Sequence, residues 1–198
     1  MKPKQRKCRI KAEGCEVTYT PFNSLQKCCY NAKCVLENNR RQEEKKRLRE
    51  EQRERKELKE AKERLKSRGE WLKEAQAAFN KWVRARDSKV FKDAGECVSC
   101  ISCGRPPKKI NAGHYLSVGA HPELRFEPLN NHIQCEHCNS YKSGNQVEYR
   151  KRLIEKIGLD KVEWLEGPHK PKKYTIDEIK AIKAKYTKLA RELEKEMA

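Results

Sequence analysis

Long apolar runs are missing from this 198-residue chain. None approaches the ~18 or more consecutive apolar residues that a membrane-spanning helix needs. Met1-Lys2-Pro3-Lys4 leads into no apolar stretch of the secretory kind, so an exported or membrane-anchored protein is not expected. Aromatic residues make up only 7% and hydrophobic residues 36%, against 38% charged, where an ordinary globular chain has roughly 25% charged. That shortage argues against one large apolar core along the whole length. Acidic residues are also scarce beside the basic ones, 29 against 47, which leaves a formal net charge of +18. Such a surplus points to a polyanionic partner, because Lys and Arg release the counterions condensed on phosphates.

Cysteine is abundant. Ten occur, in two groups separated by a cysteine-free charged stretch. With no export signal, a reducing compartment would keep these thiols free, so metal is expected before disulfide. Four segments follow from this layout: a Cys-rich zinc module over residues 1–36, a charged helical linker over 37–66, a helix plus a zinc-stabilised domain over 67–166, and a loop with a final helix packing on the core over 167–198. The first is short in aliphatics, so bound metal must supply much of its stability.

Residues 40–66 contain neither Gly nor Pro and consist almost entirely of Arg, Lys, Glu and Gln. Glu43 with Arg47, Glu51 with Arg55 and Glu60 with Arg64 stand four apart in the favourable acid-before-base order. Leu48, Leu58 and Leu65 are too sparse for a coiled-coil seam. A solvated single helix is expected. Beyond it, Ser67-Arg-Gly-Glu70 has the form of a capping box. Trp71, Leu72, Ala75, Ala78, Phe79, Trp82 and Val83 then recur at three- and four-residue intervals, the mark of a buried helical stripe. Helical spacing returns at Tyr149, Leu153, Ile154 and Ile157 and stops at Gly158. Thr175-Ile-Asp-Glu178 forms a second capping box, with Tyr174 placed to staple onto Ile179, and Ile179, Ile182, Tyr186, Leu189 and Leu193 line the last helix.

Cys100-Ile-Ser-Cys103 and Cys135-Glu-His-Cys138 are two C-x-x-C knuckles with thirty-one residues between them. A two-residue gap lets both thiolates of a knuckle converge on one ion, and two knuckles complete a closed tetrahedral zinc site. Cys97 with Cys100 is an alternative first knuckle; Gly104, suited to the tight turn after Cys103, favours the pair Cys100 and Cys103. At the N-terminus, Cys8, Cys15, Cys29 and Cys34 form the preferred set for a second zinc, with Cys28 an alternative to its neighbour. Lys2, Lys4, Arg6, Lys7, Arg9 and Lys11 crowd this end and suit sequence-independent docking on DNA.

Between the knuckles lie Asn111-Ala-Gly-His114-Tyr115 and Leu129-Asn130, and Asn139 directly follows the second. This order of His, Asn and C-x-x-C-Asn-x-x-Lys resembles the HNH nucleases, whose site is a β-hairpin followed by a helix gripping a divalent ion. Cys-Ile-Ser-Cys-Gly, Ala-Gly-His-Tyr, Leu-Arg-Phe, Gln-Cys-x-x-Cys-Asn and Lys-Ser-Gly-Asn, in this order, are similar to the NinG (Rap) recombination proteins of lambdoid phages, over nearly the whole chain. The resemblance implies a mainly α fold with a small zinc-bound ββα core, HNH- or treble-clef-like, and a long charged helix joining it to the N-terminal module. It implies a phage- or prophage-encoded, structure-specific DNA endonuclease in the host cytoplasm. Such an enzyme acts on branched intermediates such as Holliday junctions and D-loops, alongside other recombination proteins. Symmetric cutting of a junction would suit a homodimer.

On this reading His114 is the general base, since a neutral imidazole can take a proton from water near pH 7. Asn139 helps to hold Mg²⁺ or Mn²⁺, and Asn130 braces the hairpin and orients His114. Arg125 and Lys142 contact phosphates. HNH sequences usually carry an acidic or His ligand directly before the base, where Gly113 stands here. Asn111 occupies the place of an Asp, so either Asn111 or Glu127 would have to complete the metal shell. His132 and His137 are expected to face solvent or phosphate. Gly113 and Asn111 favour the alternative class, a non-catalytic zinc-dependent DNA-binding recombination mediator.

Overall fold

The computed structural model describes residues 4–197, so Lys2 of the basic cluster lies outside the described residues. The chain is mainly helical and divides into two compact units, Met1–Leu65 and Lys66–Ala198.

In the first unit, β1 (Arg6–Lys7) pairs antiparallel with β2 (Thr18–Tyr19). Cys8, Ile10, Tyr19, Cys28, Cys29 and Cys34 make a small buried cluster. The Asn31 side chain accepts from the Lys33 amide at 2.9 Å and caps α1 (Ala32–Leu65). At 34 residues and 1.5 Å per residue, α1 runs about 51 Å. Cys34 is its one buried side chain. Leu48, Leu58 and Leu65 are exposed, in keeping with a solvated helix. Among the described residues the pairs Glu43–Arg47, Glu51–Arg55 and Glu60–Arg64 do not form. Glu37 with Arg41, at 2.6 Å, is an acid-first pair at the start of the helix. Farther along, Lys46–Glu50 at 4.0 Å, Arg53–Glu57 at 3.5 Å and Lys56–Glu60 at 3.9 Å run base first, the weaker order against the helix dipole.

The second unit is built on α2 (Arg68–Asp93) and α5 (Ile176–Met197). Both start as their capping boxes require. The Ser67 amide donates to Glu70 at 2.7 Å and the Thr175 amide to Glu178 at 2.8 Å, and each hydroxyl accepts from the third residue's amide. Trp71, Ala75, Phe79 and Val83 pack with Tyr174, Ile179 and Tyr186 and with Phe126 from the loop. The second tryptophan of the stripe, Trp82, packs at this cluster's edge, its ring 4.9 Å from that of Tyr186.

Upon α2 lies a hairpin, β3 (Ile110–His114) antiparallel to β4 (Asn131–Cys135), in register Ile110↔Cys135 through His114↔Asn131. A single π-helical turn, His137–Tyr141, follows, closed by the Lys142 amide on the His137 carbonyl at 3.1 Å. Then come α3 (Gln146–Ile157), ended by Gly158, and α4 (Leu159–Glu166). Tyr149, Leu153, Val162 and Leu165 bury against Tyr115 and Leu124. This second cluster holds the loop between β3 and β4 in place.

Candidate functional site

Both cysteine sets converge. The Sγ atoms of Cys100, Cys103, Cys135 and Cys138 lie within 4.8 Å of one another, and so do those of Cys8, Cys15, Cys29 and Cys34. In the central set the Gly104 amide donates to the Cys100 carbonyl at 2.8 Å, tightening the first knuckle. Gly104 has φ +70°, the left-handed conformation that favours glycine. The Cys138 amide donates to Cys135 Sγ at 3.4 Å, and Asn145 Nδ2 to Cys138 Sγ at 3.8 Å. Such donors orient and stabilise thiolate ligands. Cys97 is exposed and outside the tetrad; Cys28 is buried but outside the other. Burial, reinforced by the neighbouring thiols, pushes Cys34 and Cys138 up to about 12. A dication inverts that cost. Four crowded soft donors fit tetrahedral Zn²⁺, so each tetrad could hold one zinc ion.

His114 ends β3. Its Nε2 meets the Arg125 carbonyl at 3.0 Å, and only an N–H can bond a carbonyl, so the proton sits on Nε2 and Nδ1 carries the lone pair. Burial holds the imidazole below the ordinary histidine pKa. The Asn131 carboxamide nitrogen stands 3.4 Å from Nδ1 and 3.1 Å from Nε2. Asn130, expected to orient this ring, does something else. Its Oδ1 accepts from the Leu116 amide at 2.8 Å, and its Nδ2 donates to the Leu116 and Leu124 carbonyls at 3.0 and 3.3 Å. It braces the loop, while Asn131 touches the imidazole.

Side chains alternate along a strand. In this register His114 and Asn131 share one face, and Asn111, Gly113, His132 and Gln134 the other. Asn139 belongs to that second face: its Oδ1 lies 3.0 Å from where a Cβ on Gly113 would stand, and Gln134 Oε1 lies 2.0 Å from the same point. His114 and Asn139 thus flank the end of β3 from its two sides. Gln134 Oε1 and Asn131 Oδ1 are buried with no hydrogen-bond partner among the described residues. Oxygens of this kind fit a hard cation, but those gathered at Gly113 are neutral carboxamides. Glu127 caps its own turn instead, accepting from the Leu129 amide at 3.2 Å. Among the described residues, groups of three or more His, Cys, Asp or Glu ligands occur only as the two cysteine tetrads.

His132 does not face solvent or phosphate. It is 3% exposed, with Nε2–H donating to the Leu129 carbonyl at 3.1 Å and Nδ1 accepting from Arg86 at 3.1 Å. Arg86 also donates to the carbonyls of Pro128 and Asn131 at 2.9 and 2.7 Å. Beside it Asp87 accepts the Ile133 amide at 2.9 Å and pairs with Lys156 at 3.3 Å. Burial would raise the Asp87 carboxyl, but the neighbouring charges of Arg86 and Lys156 outweigh it and hold the group well below the usual carboxylate range. Arg86, Asp87, Asn131 and Gln134 were not singled out from the sequence. The signal was the polar run Asn130-Asn131-His132, with Gln134, entering a strand that is buried. Of the expected phosphate contacts, Lys142, Lys7 and Arg9 are exposed. Arg125 is half-buried and reaches Gln76 at 3.4 Å.

The sequence profile described as "Bacteriophage Lambda NinG protein" matches residues 1–196. The chain belongs to the NinG family. The NinG protein of Escherichia phage lambda is 41% identical over 203 aligned residues, covering 97% of this chain and 95% of the relative. That of Escherichia phage 933W is 40% identical with the same coverage. The NinG protein of Salmonella phage P22 is 44% identical over 130 residues, 65% of this chain and 60% of the relative. No solved structure matches. Among the described residues of this NinG chain, no helix is long and apolar enough to cross a membrane.

Proposed function

We propose that this protein is a divalent-metal-dependent endonuclease of branched DNA recombination intermediates, with an HNH-like hairpin as its catalytic element. The observation that carries the reading is His114, half-buried, neutral and fixed in one tautomer at the end of a hairpin whose far end is clamped by four thiols. A phosphodiester laid across the end of β3 would have the imidazole on one side and the carboxamides of Asn139, Gln134 and Asn111 on the other. Nδ1 of His114 takes the proton of the attacking water, the Arg125 carbonyl stabilises the imidazolium through Nε2–H, and Asn131 limits rotation of the ring. Asn139 and the unpartnered Gln134 Oε1 would hold Mg²⁺ or Mn²⁺, with Asn111 on the same face; such an ion supplies charge stabilisation on the phosphoryl and leaving oxygens. Lys142 and the exposed cations of the N-terminal unit, Lys7 and Arg9 among them, hold the DNA backbone. Other recombination proteins, and a second copy of the chain for paired cuts, are the proposed partners.

The second reading, a non-catalytic zinc-dependent DNA-binding mediator, is favoured by one feature: no carboxylate joins the carboxamides beside Gly113. Cleavage of a synthetic four-way junction with Mg²⁺ or Mn²⁺ separates the two. The wild type nicks the junction, and His114→Ala lowers the rate by about 10²–10⁴-fold while junction binding and zinc content stay unchanged. If both proteins bind the junction and neither nicks it with any divalent ion, the mediator reading replaces the first.

A further inference from the structure

Four of the five tyrosines in the second unit are buried, and the hydroxyl of each is bonded: Tyr115 to Glu166, Tyr149 to the Gly113 carbonyl, Tyr174 to the Glu123 carbonyl and Tyr186 to the Phe126 carbonyl. Tyr141 is the exception. It is 77% exposed, its hydroxyl has no partner among the described residues, and it packs into no core. Its ring stacks on the exposed ring of His137 with an interplanar angle of 30° and centroids 6.1 Å apart. Both rings project from the π-helical turn that carries Cys138 and Asn139. That turn is closed by its own hydrogen bond and anchored by buried Cys138, so both rings are carried on one ordered backbone turn.

Around it runs a cleft floored by Cys103, Cys135 and Cys138 and walled by Pro106 and Pro107. Arg105, Lys108 and Lys142 line it, exposed and without an ion pair among the described residues. One acidic residue lines it too, Glu136, and its charge is met by Lys109 at 2.5 Å. An exposed aromatic face ringed by unpaired cations has two needs, a flat π-system and a neighbouring anion. A nucleotide supplies both. In a continuous duplex the faces of the bases are already covered by their neighbours, and only an unpaired or branch-point base offers one.

We propose that this cleft is a subsite for one unpaired nucleobase of DNA, stacked on Tyr141, with Arg105, Lys108 and Lys142 on the flanking phosphates. The inference rests on the DNA reading above and deepens it, because it places recognition of the branch on the same helical turn as Asn139. His137 is a positioning residue here, supporting Tyr141 from behind.

The test uses the full-length, zinc-loaded protein and its Tyr141→Ala and Tyr141→Trp variants, each checked for unchanged zinc content and circular dichroism. Probes are a 20-nucleotide oligo-dT, the matching oligo-rU, a blunt duplex of equal length, and a four-way junction carrying 2-aminopurine at the branch. Removing a stacking platform typically weakens single-strand binding by about 5- to 150-fold. Tyr141→Ala should therefore lose about 10-fold or more on oligo-dT and less than about 2-fold on the duplex, with Tyr141→Trp restoring the loss. Wild type should quench the 2-aminopurine and Tyr141→Ala should not. Equal losses on oligo-dT and duplex, or none on either, would overturn the proposal, as would a marked preference for oligo-rU. Nicking of the junction by wild type is measured in parallel. If nicking persists without a stacking signal, only the subsite falls; if stacking is seen without nicking, the subsite stands and the nuclease reading falls.

Discussion

Gln134 and Gly113 exclude one another's side chains: a Cβ on residue 113 would lie 2.0 Å from Gln134 Oε1 and 3.0 Å from Gln134 Cβ. The glutamine cannot easily swing aside, because its Nε2 donates to Ser102 Oγ at 2.6 Å and to the Gly144 carbonyl at 2.5 Å. This contact explains why the position before His114 carries no ligand. Gly113→Ala should cost about 1–3 kcal/mol, the usual penalty of overpacking. Gln134→Ala in the same chain should recover part of it, read as a positive coupling in a denaturation double-mutant cycle. Additive losses would mean that the two residues do not compete.

Metal content gives the second prediction. Two zinc ions per chain are expected by elemental analysis, one for each tetrad. Cys135→Ser should lose one and loosen the hairpin, and Cys34→Ser should lose the other while leaving the Trp71 core folded. Cys97→Ser should retain both, since Cys97 is exposed and outside either set. Chelation should unfold each site, because metal binding in such small modules is folding energy.

Asp87 predicts acid sensitivity. Its carboxyl titrates below the unfolded value, so its stabilisation is complete above the ordinary Asp pKa of about 3.9 and is lost as pH falls through the lower folded value. Asp87→Ala takes the carboxylate from half-buried Arg86 and Lys156 and leaves the Ile133 amide unpaired, and should cost about 1–3 kcal/mol at neutral pH. Urea melts at pH 7 and pH 3 check both statements: the gap between wild type and variant should narrow at the lower pH.

His114 sets the pH profile of the proposed cleavage. Burial favours its neutral form, so the base is ready at pH values where an ordinary histidine is still half protonated. The acid limb of the rate profile should have its midpoint below about 6.5. A midpoint above that value would assign the proton transfer to another group.

Where a physical rule acts locally, the sequence was readable. The capping boxes at Ser67 and Thr175, the stripe from Trp71 to Val83, and the stop at Gly158 depend on near neighbours, and all three appear in the structure. The two cysteine sets were legible, the central one because thiols in two-residue knuckles have few other reasons to recur in pairs. The roles of Asn130 and Asn131 could not be separated, because the strand begins between these identical neighbours, Asn130 ending the turn before it and Asn131 opening β4, and that boundary depends on the loop packing of Leu116 and Leu124. Asp87 was hidden for a similar reason. It continues the four-residue spacing of the buried stripe past Val83, but a carboxylate breaks the apolar pattern there, and its partners Ile133 and Lys156 come from distant parts of the chain. In α1 the three acid-first pairs expected beyond residue 42 gave way to base-first ones, while Glu37 keeps the acid-first order with Arg41, since a solvated helix lets long side chains choose among several neighbours.

The α1 rod has a calorimetric consequence. Beyond Cys34 nothing in it is buried, so its turns are held by hydrogen bonds and weak surface pairs alone. Such a segment unwinds gradually from an end rather than in a single step. Heating this chain should therefore give a sloping loss of far-ultraviolet ellipticity that ionic strength alters. A sharp, salt-indifferent drop should follow in the near-ultraviolet signal of Trp71 and Trp82.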